Sequence, residues 1–238
     1  MKKRILSILL LCCMVLTMLP TTVLAADGPM DTIPKYDVSI DVYNRTSDIS
    51  IKDSRSYYIY SSVPDKLRDT WAWDKKIFIK GDKTAPHVFI DGVNIEMSPS
   101  SKGPAIELNK KASAYIYFIG KNSSLQGADG RAAIQKNRSE GQLYVLARTG
   151  TTVTCKGGYR AAGIGGSWAI RNIGDSMFNM DMYGHGVNMH FGSQSNPDYW
   201  GGTINATGGE YGAGIGAGSW GHSGHSGNTI HGGAGERL

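Results

Sequence analysis

Aromatic residues in the glycine-rich C-terminal part of the chain are the side chains best suited to ligand binding. Trp168 and Trp220 each follow an Ala-Gly-Ile-Gly block. Similar glycine-rich turns hold Tyr159, Tyr211 and Trp200. Rings stacked at the interval of a structural repeat would form a flat amphipathic strip, suited to sugar faces or to another protein. We therefore expect these residues to form a ligand-binding strip; the alternative is that each ring only covers a turn.

Groups for acid–base catalysis are sparse in the same region. Gly184-His185-Gly186 resembles a short element of β-helix polygalacturonases, but the Asn-Thr-Asp element and the adjacent Asp pair that accompany it there do not occur. Glycoside hydrolysis needs two placed carboxylates, and only Asp175 and Asp181 lie nearby. A polysaccharide lyase would need a base such as Arg160 or Arg171 beside calcium-binding acids. We expect no catalytic residues, with a lyase or hydrolase kept as the alternative.

Metal and cofactor chemistry is not expected either. His222, His225 and His231 have spacings at which histidines can share an ion, yet no acidic or Cys ligand lies between them and the segment is rich in Gly and Ser. A polar loop is the preferred interpretation, so no metal site and no cofactor are predicted. Cys155 occupies the position at which the matching repeat has Ala206, which indicates a small core residue.

The N-terminus predicts export. Lys2, Lys3 and Arg4 precede an apolar run and a small-residue end, the three-part pattern of a signal peptide over residues 1–26. The apolar run is about 15 residues, short of the roughly 20 that a membrane span needs. The leader contributes three of the charges behind the net +5, so about +2 remains and a nucleic-acid partner is not expected. No transmembrane segment is predicted in the mature chain, which we expect to be secreted and extracellular or associated with the cell surface.

Short strands are predicted throughout the mature chain, and no stretch has a sustained helical period. The runs are rich in β-branched and aromatic residues, and most have turn residues close by. They are Val38–Val42, Ile49–Ile51, Tyr58–Tyr60, Ile77–Ile79, Val88–Ile90, Tyr115–Ile119 and Leu143–Val145. The sequence therefore predicts an all-β protein.

Internal repeats specify the kind of β fold. Gly92 and Asn94 recur 28 residues on, as do Ala105-Ile106, while Thr152–Gly158 matches Thr203–Gly209 at an offset of 51. Such periods are typical of solenoids, and we predict a right-handed parallel β-helix. The 51-residue step is either one coil with a long loop or two coils, and the alternating run Phe178–Met182 favours two.

The predicted organisation has three parts. The signal peptide is 1–26; residues 27–75 hold N-terminal strands and a cap that includes Trp71 and Trp73; coils fill 76–238 and are glycine-rich from 151. Thr229–Gly233 resembles the opening of a further coil. We therefore expect the chain to be a fragment of a longer protein, truncated at its C-terminus; the alternative is a last coil covered by a partner.

The quoted motifs carry a resemblance. Ile90–Ile95, Ala105–Leu108, Gly120-Lys121-Asn122 and the two Ala-Gly-Ile-Gly blocks are similar to secreted parallel β-helix proteins of Gram-positive, often gut, bacteria, described as carbohydrate-binding-domain or adhesin-like surface proteins. The resemblance covers roughly residues 75–235 and implies a non-enzymatic module that binds a polysaccharide or surface glycan. The alternatives are a β-helix carbohydrate-active enzyme and a purely structural surface stalk.

Overall fold

The chain folds into a stack of parallel β-coils. A computed structural model describes residues 34–98, 102–109, 111–136, 140–171, 186–192, 198–222 and 230–232. Within these ranges the only helical element is the 3-10 turn Asp65–Leu67, and no helix is long and apolar enough to cross a membrane. The predicted leader lies outside the described residues.

The strands in chain order are β1 (Val38–Asp41), β2 (Ile49–Ile51), β3 (Ser56–Tyr60), β4 (Ile77–Lys80), β5 (His87–Asp91), β6 (Asn94–Glu96), β7 (Ile106–Asn109), β8 (Ala114–Ile119), β9 (Ser123–Gln126), β10 (Ile134–Lys136), β11 (Leu143–Ala147), β12 (Thr152–Lys156), β13 (Ile164–Gly165), β14 (Ala169–Arg171), β15 (Met189–Phe191), β16 (Thr203–Thr207), β17 (Ile215–Gly216), β18 (Ser219–His222) and β19 (Ile230–Gly232).

Three sheets form the sides of the coil. Sheet 1 has the order β1-β3-β5-β8-β11-β15, sheet 2 the order β2-β4-β7-β10-β13-β17, and sheet 3 the order β6-β9-β12-β16. Every pairing within these sheets is parallel. From β5 onward each coil runs through sheets 1, 3 and 2 in turn. The prediction of a parallel β-helix is therefore confirmed. A small fourth sheet joins β14, β18 and β19, with β18 and β19 antiparallel.

Inward-facing aliphatic residues form ladders that hold the coils together. In sheet 2 an isoleucine of each coil pairs with an isoleucine of the next, and the first five are at most 2% exposed. The ladder is Ile49, Ile77, Ile106, Ile134, Ile164 and Ile215. Burying each such side chain contributes about 1.5–3 kcal/mol. Sheet 3 continues the core with Cys155, fully buried and paired with Ala206 as predicted.

The 51-residue step is a single coil. Thr152 pairs directly with Thr203, and Ile164 pairs directly with Ile215, so no coil lies between them in sheets 2 and 3. The two-coil interpretation is wrong, because the strands at the two ends of the step pair directly with each other. The run Phe178–Met182, which favoured two coils, lies outside the described residues.

Polar side chains at the corners bind the backbone of the next coil. Asp and Asn side-chain oxygens accept hydrogen bonds from N–H groups about thirty residues further on, which satisfies donors that a corner leaves outside the sheet ladder. The pairs are Asp91 with Lys121 (2.8 Å), Asn94 with Ser124 (3.1 Å), Asn122 with Thr152 (2.8 Å) and Asp129 with Tyr159 (3.4 Å). The 28-residue match of Asn94 with Asn122 is therefore not a structural pairing, because Asn94 pairs with Ser124.

The N-terminal segment joins the same sheets. β1 and β3 lie in sheet 1 and β2 in sheet 2. Trp73 forms an isolated parallel bridge with Ile95 of β6 and is 3% exposed, so it covers the first strand of sheet 3. Its indole N–H donates a hydrogen bond to the carbonyl oxygen of Arg45 at 2.7 Å.

Candidate functional site

The corner between sheets 3 and 2 has the same backbone form in three successive coils. The left-handed position of this turn holds Gly130 at φ +74°, Arg160 at φ +62° and Tyr211 at φ +64°. Glycine adopts this conformation without strain, whereas other residues lose about 1–2 kcal/mol in it. Two large side chains thus occupy positions where glycine would be less strained, and residues in such conformations concentrate at functional sites.

Close approach of the coils at this corner explains the glycines beside it. A Cβ atom on Gly158 would lie 1.9 Å from the carbonyl oxygen of Ala128, and one on Gly209 would lie 2.0 Å from that of Gly158. The backbones of three coils are therefore in contact here, and the larger side chains that follow are displayed at a spacing set by the stack.

Arg160 lies against two aromatic rings. Its guanidinium carbon is 4.8 Å from the centroid of the Tyr159 ring and 5.2 Å from that of Trp168. Both distances are within the range of cation–π attraction. Trp168 reaches this place because its backbone N–H donates to the carbonyl oxygen of Gly130 at 2.9 Å, one coil earlier.

Two nitrogen donors at this corner lack acceptors. The Nε atom of Arg160 and the Nε1 atom of Trp168 are shielded from solvent and have no hydrogen-bond partner among the described residues. The rings hold the guanidinium in place without pairing its charge, since Arg160 forms no ion pair within the described ranges. We call Tyr159, Arg160, Trp168, Glu210 and Tyr211 the Arg160 corner.

Two tyrosines of the Arg160 corner are open to solvent. Tyr159 is 41% exposed and Tyr211 is 55% exposed. Interaction with the Glu210 carboxylate raises the pKa of the Tyr211 phenol above its ordinary value. The exposed surface therefore combines aromatic rings, a guanidinium and a carboxylate.

A groove begins beside the Arg160 corner. It has a volume of about 520 Å³ and reaches Asp129 and Gly158, the neighbours of Tyr159 in space and in sequence. Glu96, Gln126 and Thr70 also line it. Since these side chains offer hydrogen-bond donors and acceptors, the groove suits a polar ligand that extends from the corner along the border of sheet 3 where β9 and β6 end.

A second groove lies at the opposite border of sheet 3. Its volume is about 600 Å³, and Asp65, Lys121, Asn122 and Thr154 are among the residues that line it. Lys121 and Asp65 form an exposed ion pair at 2.7 Å across it. Arg68 and Asp69 also line it, so two bases balance two acids, and its other polar side chains are hydroxyls and amides.

The five residues of the predicted strip do not form one strip. Tyr159, Trp168 and Tyr211 come together at the Arg160 corner. Trp200 instead packs on sheet 1, with its ring centroid 5.1 Å from that of Tyr117. The backbone of Trp220 pairs with Ala169, and its side chain lies outside the described part of the structure.

Trp168 and Trp220 follow matching sequence repeats, but in the strand pairing their positions differ by one residue. Trp220 pairs with Ala169 rather than with Trp168, because the second repeat has an extra residue before its tryptophan. Tyr211 takes the left-handed position that Arg160 takes in the preceding coil, not the position of Tyr159. The corner therefore places a tyrosine in the position that an arginine takes one coil earlier.

Sheet 1 carries a ladder of stacked rings that was not predicted from the sequence. Paired positions on four successive strands hold His87, Tyr115, Tyr144 and His190. We call these four residues the ring ladder. Their centroids are 4.5–4.7 Å apart and their planes differ by 4–15°. The signal was present in the sequence, since aromatic residues alternate with aliphatic ones in His87-Val88-Phe89 and Tyr115-Ile116-Tyr117. Because the rings stack on one another, they present mainly edges to solvent.

Apart from Arg160, the side chains considered for catalysis and for metal binding lie outside the described part of the structure. Asp175, Asp181 and His185 lie outside the described residues, as do the side chains of Arg171 and of the three C-terminal histidines. Comparison with protein-family models, with curated proteins and with solved structures found no match for this chain.

Proposed function

We propose that the protein is a secreted or cell-surface β-solenoid module that binds a polysaccharide through the Arg160 corner and the adjoining groove, without catalysing a reaction. The observation that carries the proposal is the display of two exposed tyrosines, Tyr159 and Tyr211, beside Arg160, with Arg160 and Tyr211 in the left-handed backbone conformation. Aromatic rings offer apolar surface to the C–H faces of sugars, and neighbouring polar groups bind the hydroxyls. A corner held by backbone contacts loses little freedom on binding.

The groove supports an extended ligand. It leads from Asp129 and Gly158 towards Thr70 along the border of sheet 3 where β9 and β6 end. A chain of sugars placed there would meet amide and carboxylate groups in the groove and aromatic rings at the corner. This arrangement fits a polymer better than a small enclosed metabolite, because both the groove and the corner are open to solvent.

Affinity electrophoresis of the full chain in gels that contain a panel of polysaccharides tests the proposal. We expect retardation by at least one glycan, and we expect it to be lost in the Tyr159→Ala/Tyr211→Ala variant. Tyr36→Ala is the matched control, since Tyr36 is 40% exposed and packs on Tyr58 of sheet 1. Circular dichroism must show all three proteins folded. Binding that survives loss of both corner tyrosines would reject this site, and no retardation by any glycan would reject the function.

A structural stalk is the second candidate, and the ring ladder favours it. Continuous stacking of His87, Tyr115, Tyr144 and His190 adds to coil-to-coil cohesion without presenting ring faces to a ligand. A stalk would bind no glycan in the same gels. It would also retain its stability when Trp168 and Trp220 are replaced.

A further inference from the structure

The guanidinium of Arg160 lies beside aromatic rings, whereas several other positively charged groups of the described structure lie beside a carboxylate. Arg55, Arg68, Lys76 and Lys121 each lie beside an Asp or Glu carboxylate. Arg160 has two aromatic rings in the place of an acid. An arginine held by stacking keeps its charge and its fork of N–H donors available for a ligand.

The donors of Arg160 indicate where an acceptor would sit. Its Nε atom is shielded from solvent between the rings, and its side chain as a whole is only partly buried. The guanidinium therefore faces solvent with its terminal amino groups, which form no hydrogen bond with the described residues. Two parallel N–H groups of an arginine match the two oxygens of a carboxylate, and such charge-assisted pairs are about twice as strong as neutral hydrogen bonds.

We propose that the ligand of the Arg160 corner is an acidic polysaccharide, and that Arg160 binds the carboxylate of a uronic acid unit. This inference rests on the proposed glycan-binding function and names the ligand class for the same site. The exposed rings of Tyr159 and Tyr211 contact the sugar faces, while Arg160 pairs with the carboxylate. Stacking on Tyr159 and Trp168 restricts the guanidinium beforehand, so that less side-chain entropy is lost on binding.

The acids at the corner select for an isolated carboxylate over a dense polyanion. Glu210 precedes Tyr211 in the chain and raises the pKa of its phenol, and a side-chain oxygen of Asp129 accepts the N–H of Tyr159. Both carboxylates repel an approaching anion, whereas Arg160 attracts it at one point. A polymer with one carboxylate on a sugar can place that group on Arg160, but a heavily sulfated polymer would bring further charges against Glu210 and Asp129.

The test uses alginate, a polymer of uronic acids, and alginate whose carboxylates are esterified. Dextran is the neutral polymer and heparin the sulfated one. We expect the full chain to bind alginate at least ten-fold more tightly than the ester, dextran or heparin, because the ester removes the charge and keeps the sugar backbone.

Variants at one position separate charge from geometry. We expect Arg160→Gln to weaken alginate binding about ten-fold or more and Arg160→Lys to weaken it less, since lysine keeps the charge but loses the planar fork. Both retain a side chain at the strained backbone position. Arg148→Gln is the matched control, because it removes the same charge from a corner between sheets 1 and 3, and its binding should not change. Urea midpoints must agree among the variants.

Each other outcome is decisive. Equal binding of alginate and its ester, or full binding by Arg160→Gln, overturns the carboxylate assignment and leaves glycan binding standing. Preference for heparin shows general attraction to polyanions and also overturns it. If no polymer binds, both the inference and the proposed function fail.

Discussion

Replacing Gly158 by alanine should force two coils apart at the Arg160 corner. The new Cβ atom would lie 1.9 Å from the carbonyl oxygen of Ala128, whereas real Cβ atoms essentially never come closer than 3.0 Å. The obstacle is backbone, so no side-chain rotation can relieve the contact. The two coils must move apart by about 1 Å, or the turn must adopt another conformation.

The expected cost follows from the hydrogen bonds that cross this contact. The N–H of Gly158 donates to the carbonyl oxygen of Arg131 at 2.9 Å, and the N–H of Gly130 donates to that of Tyr159 at 2.8 Å. A shift of about 1 Å would carry both beyond hydrogen-bonding distance. Leaving such groups unpaired costs about 1–3 kcal/mol each, so the free energy of unfolding should fall by about 3–5 kcal/mol.

Gly150→Ala is the matched control, because Gly150 is required by its backbone conformation and not by a close neighbour. Gly150 has φ +83°, and a Cβ atom placed there meets nothing within 4 Å. The substitution is therefore strained only in its backbone conformation, and it should cost about 1 kcal/mol. The comparison separates close approach of coils at Gly158 from left-handed backbone at Gly150.

Urea denaturation followed by circular dichroism measures both variants against the parent chain. The reasoning predicts a much larger loss for Gly158→Ala than for Gly150→Ala. If Gly158→Ala costs no more than Gly150→Ala, the coils are not in backbone contact at this corner. The glycine-rich composition after residue 150 would then need another explanation.

Three further predictions concern the core and two titratable groups. Ile106→Ala, in the middle of the sheet 2 ladder, should lower the free energy of unfolding by about 2–5 kcal/mol. The control Ser124→Ala, on the exposed face of sheet 3, should change it by less than about 0.5 kcal/mol in the same urea assay. Equal effects of the two substitutions would place Ile106 outside the core. Burial raises the pKa of the Cys155 thiol to about 12, so a thiol reagent at pH 8 should label Cys155 only after unfolding. Because the chain also has Cys12 and Cys13, the label is located by peptide mapping, and rapid labelling of Cys155 in the folded protein would contradict its burial. Hydrogen bonds from Arg55 and Tyr57 lower the pKa of Asp53 from 3.8 to about 2, so the stabilising contribution of Asp53 is present above pH 4 and is lost as the pH falls through 2. Arg55→Ala should raise that pKa in a carboxyl NMR titration, and an unchanged midpoint would remove Arg55 as the cause.

The strands were predictable because each one carries its own pattern. Val38–Val42, Ile77–Ile79 and Tyr115–Ile119 were predicted as strands, and the structure has β1, β4 and β8 there. Alternation of aliphatic and polar residues indicates a half-buried strand whatever its partners are. The 28-residue recurrence of Ala105-Ile106 likewise predicted a pairing, and Ile106 does pair with Ile134.

The candidate site was predictable only in part. Its exposed aromatics could be selected because they follow repeated glycine-rich motifs, and three of them do share a corner. Arg160 was considered only as a base for a lyase. Its stacking on Trp168 joins residues across a turn and across a strand, and residue types alone do not reveal such a contact.

The amino-acid sequence by itself determined the strand positions, the inward isoleucines and the close glycines, because each depends on a local pattern or on a repeat. The tertiary structure decided the register. A single extra residue places Trp220 opposite Ala169 rather than Trp168, and the 51-residue step became one coil because Ile164 pairs directly with Ile215. Register is settled by backbone hydrogen bonds between strands far apart in the chain, and each such bond joins groups that every residue type except proline shares. The neighbours of Arg160 follow from that register, and the proposed ligand follows from those neighbours.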